Sequence, residues 1–414
     1  MSAEKTRLPP AHVTVLLGAA VLLVVIGIVH SPGEAFRASL SGFEIWWRQV
    51  FPGMIPPLIL AELLAASGLL HGFAVLAEPL TRAWLRLPGA AGWPVAFGWA
   101  AGMPAGARET ARLREKGLIT RKQTDTLLLV AHMPNPFLVV VITGAGFLHD
   151  PALGWAAAAG IWSAAVISGI IWSRLFADGR RAAHPMAERG QGRLLARALR
   201  AASEARAADG RPLGKLLADA VTHAVSVMMA VGGLMMLASV VIRLMQLWVP
   251  GSDMWLAIPG IYEMHLGAYE ASRSPILEAA PEYAAALLAA VLAWTGFSGL
   301  LQARAAFGSA GPFPWGKLIA GKLMQSALAL LITWLLIKAW RTGVFGPATS
   351  AAFSLSGVPL FRETISQGAL PPDGWRHLSE IWLAGLACLG TFLLLTLLAA
   401  LIRPKRRRPP DPPG

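Results

Sequence analysis

Two apolar stretches of this 414-residue chain are interrupted where a membrane helix should run on: residues 96–108, AFGWAAGMPAGAR, and residues 293–304, AWTGFSGLLQAR. Inside hydrocarbon an interrupted helix leaves backbone N–H and C=O groups without partners, at several kcal/mol each, so such breaks survive only where protein or a water-filled cavity receives them. Paired interruptions in corresponding positions of two halves point to the solute site of a transporter.

With 55% hydrophobic and 14% charged residues, an ordinary soluble globule is excluded and an all-α polytopic membrane protein is expected. The first apolar run, 12–30, follows Lys5 and Arg7, has about membrane length and lacks a small-x-small cleavage pattern, so it reads as a retained span. The net charge of +13 does not mark a nucleic-acid binder, because the basic residues fall between apolar runs, where positive-inside sorting accounts for them. The single cysteine, Cys388, excludes an intramolecular disulfide and a Cys-based metal cluster. No phosphate-cradling loop, Gly-x-Ser-x-Gly elbow or His-Glu-x-x-His motif is present. Neither an enzyme nor a cofactor is therefore expected, and energy comes from an H+ or Na+ gradient or from downhill flow.

The arginine-rich stretch 174–215 reads as cytoplasmic and divides the chain into halves of similar hydropathy grammar. Spans are expected at 12–30, 51–70, 124–148 and 153–175, then at 216–247, 318–338 and 381–402. The layout is thus an N-terminal span with an external connector (1–50), a first repeat (51–175), a basic cytoplasmic loop (176–214), a second repeat (215–340), a connector and last span (341–402) and a basic, Pro-rich tail (403–414). Arg82 and Arg86 precede the first break and Arg108, Arg112, Arg114 and Lys116 follow it, which makes it a re-entrant hairpin rather than a crossing. The acidic connector 249–283 reads as external. Seven crossings would leave the basic tail outside, against the charge rule, so 284–303 crosses or part of 343–360 dips into the membrane, giving about seven to ten crossings. The fold expected is two inverted repeats, each with a broken or re-entrant helical hairpin.

Candidate solute contacts follow from the breaks. Gly102, Pro104 and Gly106 combine a helix stop with small residues, and the freed N–H groups of the next helix, with Arg108 beside them, would receive an anion; a tight turn for helix packing is the plainer alternative. His132-Met133-Pro134-Asn135-Pro136 breaks another apolar run, where Asn135 either ties down freed backbone or bonds a solute, and His132 serves a helix end or packing. Glu263 is a coupling or solute group if it lies in the membrane and a solvated charge if the connector is external; Glu62, inside a continuous span, raises the same question. Ser298 and Gln302 either contact solute or hold the second hairpin together.

Gly102-x-Pro104-x-Gly106-Ala107, then Leu113-x-x-x-Gly117-x-Ile119 and Pro134-Asn135-Pro136-Phe137 with Gly144 and Gly146, resembles the sporulation integral membrane protein family of the YlbJ type. Gly260-x-x-Glu263-x-x-x-Gly267 and the segment from Gly296 and Gly299 to Gln302 are similar to that family's second-half motifs. The resemblance implies Gate, or nucleoside-recognition, repeats distantly similar to those of concentrative nucleoside and ferrous-iron transporters. It also implies an integral protein of a bacterial cell membrane, specifically the outer forespore membrane, that moves the aromatic dicarboxylate dipicolinate. Arg108 and Arg304 would counter a carboxylate. Alternatives left open are a nucleoside or other small-solute carrier of the same architecture and a non-transporting scaffold of a sporulation complex. Expected partners are the solute, a coupling ion and the bilayer, with no nucleic acid; an oligomer is left open.

Overall fold

The computed structural model describes residues 11–148, 150–176, 194–249, 259–273, 275, 279–308 and 310–342. The expected span 381–402, the possible dip at 343–360, Cys388 and the tail lie outside these residues. Every regular element among the described residues is a helix. In chain order the α-helices are α1 (Ala11–His30), α2 (Pro32–Ile45), α3 (Phe51–Ala66), α4 (Leu69–Ala83), α5 (Gly92–Ala101), α6 (Ala105–Glu115), α7 (Arg121–Ala131), α8 (Pro151–Leu175), α9 (Leu194–Asp209), α10 (Leu213–Trp248), α11 (Met264–Ser272), α12 (Pro281–Trp294), α13 (Gly296–Phe307) and α14 (Trp315–Arg341). Five stretches are long and apolar enough to cross a membrane: Pro32–Ala66, Pro151–Leu175, Leu213–Trp248, Pro281–Phe307 and Trp315–Arg341. At 1.5 Å per residue their 25 to 36 residues exceed the roughly 30 Å hydrocarbon core. Their outward faces carry exposed Val221, Val225, Leu323, Leu330 and Leu335, as contact with lipid requires.

Residues 32–50, expected to connect two spans, are helical and continuous with α3. Pro52, Pro56 and Pro57 remove backbone donors, and the helix accommodates them through a π-type turn at Trp46–Val50, where the Phe51 N–H reaches the Trp46 carbonyl. α2 is tied to α10 by Glu34 and Arg243, at 2.9 Å. The 176–214 stretch likewise is no simple loop. It contains α9, which docks on α4: Arg197 and Arg82 both engage the buried Glu78, and Gly68 has no side chain because a Cβ there would stand 2.0 Å from the Ala202 carbonyl.

At the centre α8, α12 and α14 pack through small residues. Ala157, Ala158, Ala164 and Ala165 of α8 and Ala285, Ala289 and Ala293 of α12 are fully buried. Gly160 of α8 admits Thr333 of α14, whose hydroxyl would lie 2.0 Å from a Cβ at that position.

Candidate functional site

Four interruptions of helical backbone meet beside this core. α5 stops at Gly102, whose φ of +82° is left-handed, and α6 starts after Pro104. α7 stops at His132 and a π-type helix, Leu138–Phe147, resumes after Pro134-Asn135-Pro136. α11 begins after Glu263. α12 stops at Thr295, and Thr295 and Gly296 are both left-handed, at φ +72° and +70°. A β-branched residue there is a strained outlier of the kind that collects at functional sites. The second-half break therefore falls at Thr295–Gly296, whereas Ser298, Gly299, Gln302 and Arg304 stand on the helix that follows.

The carbonyls freed at these breaks are received by other segments. Asn135 Nδ2 donates to Ala101 O at 3.3 Å, while its Oδ1 accepts from the Leu138 N–H at 2.8 Å. Trp99 donates to Val130 O at 2.9 Å and Trp294 to Ile261 O at 3.0 Å. The Ser298 N–H donates to Tyr262 O at 2.9 Å. His132 Nε2 lies 3.1 Å from Gly299 O, and Lys322 Nζ donates to His132 O at 2.5 Å. Gly98 and Gly106 both abut the last carbonyl of α7: a Cβ at these positions would lie 2.2 Å and 1.9 Å from Ala131 O. Glycines are thus required where the α5–α6 turn seats on α7.

Glu263 is 1% exposed, which removes the solvated-charge reading. It caps α11: Oε2 accepts from the Leu266 N–H and Oε1 meets His265 Nδ1, each at 2.7 Å. Around Asn135 and Gln302 a cavity of about 20 Å³ remains, lined also by Met54, Met103, Val231 and His265. That volume holds about one water molecule.

The same two walls, α3 and α10, continue into a cleft of about 700 Å³. On α3 the lining passes from Met54 and Leu58 to Glu62 and Ala65, and on α10 from Val231 and Val227 to His223 and Asp219. Four residues along a helix are about 6 Å, so cleft and cavity are about one turn apart. Glu62 and His223 bridge the two walls at that level, at 3.2 Å. Inside the cleft His71 stacks on Trp93 (3.9 Å, 23°) and Trp93 on Phe97 (5.2 Å, 15°), with the Arg108 guanidinium 5.9 Å from the Phe97 ring. Burial lowers the pKa of His71, opposed by the charge of Glu109.

The cleft carboxylates are largely occupied. Glu109 accepts from Trp93 at 2.9 Å and from Arg112 at 2.7 Å, and Arg211 holds Asp209 at 2.7 Å and Asp219 at 2.9 Å. Bonding to Arg211 keeps the Asp209 carboxyl below the usual carboxylate range. Arg108 lies 3.5 Å from Glu109 and its Nε has no hydrogen-bond partner. Among the described residues, buried polar atoms without a partner also include His71 Nδ1 in the cleft and His132 Nδ1, Thr295 Oγ1 and Ser298 Oγ at the breaks. Such atoms mark where a solute or water completes the bonding.

Of the residues singled out in the sequence, Gly102, Pro104, Gly106, Asn135, Ser298 and Gln302 gather at the breaks or the cavity, Glu263 adjoins them as a cap, and Arg108 faces the cleft. Arg304 is exposed and donates to Gly308 O at 3.0 Å, away from Arg108's cleft. Lys322 carries no local signal and acquires its place from His132, 190 residues earlier; Trp93, His71, His265 and Thr295 are not among the residues singled out, although His265 and Thr295 lie inside stretches that are. Among the described residues no group of three His, Cys, Asp or Glu side chains stands at metal-holding spacing.

No protein-family profile matches the chain, and no solved structure matches it. The chain is similar to the sporulation integral membrane protein YlbJ of Bacillus subtilis strain 168, with 28% identity over 404 residues, 92% of this chain and 95% of that one. The match runs nearly end to end, and the chain has helices long and apolar enough to span a bilayer: it is similar over almost its whole length to an integral membrane protein of the YlbJ type.

Proposed function

We propose that this protein carries a small planar carboxylate, dipicolinate, across the outer forespore membrane of sporulating cells. The observation that carries the reading is the meeting of four backbone interruptions at one buried point, about one helical turn from a 700 Å³ cleft built on the same helices. A membrane scaffold has no need of strained, small-residue breaks whose polar atoms are left unpartnered. The stacked His71, Trp93 and Phe97 suit a flat ring, and Arg108 suits its carboxylate. A nucleobase would stack equally well, but the Arg108 Nε–H, left without a hydrogen-bond acceptor beside Glu109, favours an anion.

The order of elements supports inverted repeats. In each half a long helix (α2–α3, or α10) precedes a short helix entered through a break (α6, or α11), then a broken span (α7 with 138–147, or α12 with α13), then an unbroken span (α8, or α14). On this reading Gly102 corresponds to the neighbourhood of Glu263, Asn135 to Thr295, and α5–α6 re-enters from the cytoplasmic face. The relative's name places it in sporulation, which sets the membrane in which the same role is proposed here.

Uptake of radiolabelled dipicolinate by proteoliposomes containing the folded protein tests the reading. Saturable uptake, reduced about tenfold or more by Arg108→Gln and Trp93→Ala, is expected. Uptake no greater than in empty vesicles refutes it, and competition by uridine at equal potency would reassign the solute.

A further inference from the structure

Lys322 is fully buried within the span Trp315–Arg341. Its Nζ donates to His132 O at 2.5 Å and to Gln325 Oε1 at 2.9 Å, and lies 3.7 Å from Met133 Sδ. All three contacts are neutral. A cation at this depth without a carboxylate is costly, and intramembrane ionisable groups that persist serve transport or proton relay by default.

The other breaks show that a charge is not needed to hold a freed carbonyl. Asn135 receives Ala101 O, Trp99 receives Val130 O, Trp294 receives Ile261 O and a backbone N–H receives Tyr262 O. Amide and indole donors suffice there, and only the end of α7 is held by an ammonium. That carbonyl end, together with the Gln325 amide oxygen, is also the type of oxygen set that would hold a sodium ion. The ammonium already stands in it.

We propose that Lys322 is the proton site through which a pH gradient drives the solute, and that sodium is not used; this rests on the transport reading above. The step is proton binding alone: the amine takes one proton to become the ammonium, with no other bond made or broken. As an ammonium it directs three N–H groups and a charge at the α7 end; as an amine it keeps two N–H groups and loses the attraction to the carbonyl dipoles. Release of the proton thus loosens α14 from the α7 break.

The titratable groups around it are few. From α7 and its break come His132, whose Nδ1 has no partner, Asp125, engaged at 2.5 Å by Lys317 of α14 itself, and Arg121 and Lys122 in the first turn of α7. α8 carries only Arg174 at its last turn; α12 carries Glu282, bound by Arg341 at 2.9 Å, and Tyr283, both in its first turn. α14 adds Lys338 and Arg341 at its far end. None of these is within bonding distance of Lys322 Nζ apart from the His132 carbonyl.

The test uses the full-length protein in proteoliposomes with labelled dipicolinate as probe and the membrane potential clamped. One proton per solute predicts about tenfold accumulation per pH unit, alkaline inside, because a pH unit is worth one decade. A sodium gradient should give none. Lys322→Met and Lys322→Arg, the latter permanently charged, should retain exchange of labelled for unlabelled solute at equal pH but accumulate none. Accumulation by either variant as in the wild type, or a wild type that follows sodium, overturns the inference. Exchange without any response to pH in the wild type overturns the coupling and leaves transport standing. Absence of exchange in folded wild-type protein overturns transport itself, and this inference with it. Should Lys322→Met not fold, Lys322→Arg and the wild-type gradients decide.

Discussion

Gly98→Ala and Gly106→Ala test whether the α5–α6 turn is seated on α7 as closely as the structure has it. An added Cβ would stand 2.2 Å and 1.9 Å from the same atom, Ala131 O. Relief to an ordinary 3.4 Å contact requires movements of about 1.2 and 1.5 Å of backbone, which cannot be taken up by a side-chain rotation. Overpacking of this kind costs about 2–3 kcal/mol per substitution. Because both methyl groups strike one carbonyl, displacement caused by the first makes room for the second. The double variant should therefore cost about 3 kcal/mol rather than the sum of about 4–6, a coupling of about 1–3 kcal/mol. Equilibrium unfolding by SDS titration in mixed micelles measures each corner of the cycle. Gly233→Ala on α10, where nothing lies within 4 Å of the new methyl, is the control and should be neutral or gain up to about 1 kcal/mol. Additive costs, or single costs below about 0.5 kcal/mol, would show that the turn is not seated on Ala131.

Arg197→Ala removes one of two cations on Glu78 and should loosen α9 by about 1–2 kcal/mol, the Arg197 side chain being 30% exposed; tryptic cleavage at Arg200 and Arg206 should then quicken about 5- to 30-fold. Glu263→Ala strips the α11 cap and leaves His265 without its partner inside the protein, costing about 2–4 kcal/mol, whereas Glu263→Gln, which keeps an acceptor, should cost about half as much in the same SDS titration. His71 has a folded-state pKa below its ordinary 6.5, so the unfolded chain binds a proton there first as pH falls. Stability is complete above about pH 6.5 and declines below it; His71→Phe, which keeps the stack on Trp93, should flatten the pH 7.5 to 5.5 slope of the unfolding midpoint.

How far the sequence carries this fold depends on how local each signal is. Prolines and glycines act on their own backbone, so the breaks at Gly102–Pro104 and Pro134–Pro136 are legible directly. The second break is legible as the stretch 293–304 but not in its position, because threonine disfavours φ > 0 and Gly299 draws attention to residues that are in fact helical. α9 is hidden for the opposite reason: its arginines read as a loop, while the contact that fixes it joins Arg197 to Glu78, 119 residues away. Glu263 sits among acidic residues that suggest water, and only its hydrogen bonds within the fold show it to be a cap. Lys322 is one lysine in an amphiphilic stretch until the carbonyl of His132, 190 residues earlier, lies against it.

The carbonyl ties at the breaks divide into two kinds, and the division bears on how the molecule would open. Asn135 to Ala101 and Trp99 to Val130 join residues of the first half; Trp294 to Ile261 and Ser298 to Tyr262 join residues of the second. These are worth several kcal/mol each against an unpartnered carbonyl in apolar surroundings, and they make each half rigid at its own breaks. The ties that cross between halves both involve His132: its ring on Gly299 O and its carbonyl under Lys322. A cavity of about 20 Å³ cannot admit a ring with two carboxyl groups, so entry from the cleft requires the halves to part. Parting them at His132 leaves every within-half tie intact and disturbs the two His132 carbonyl ties together with the contacts of Gln325 and Lys322 to Met133 Sδ. Rocking of rigid halves about that point keeps the bonding inside each break and requires α8 to slide on α12 and α14; on the transport reading, a proton at Lys322 is placed to bias it.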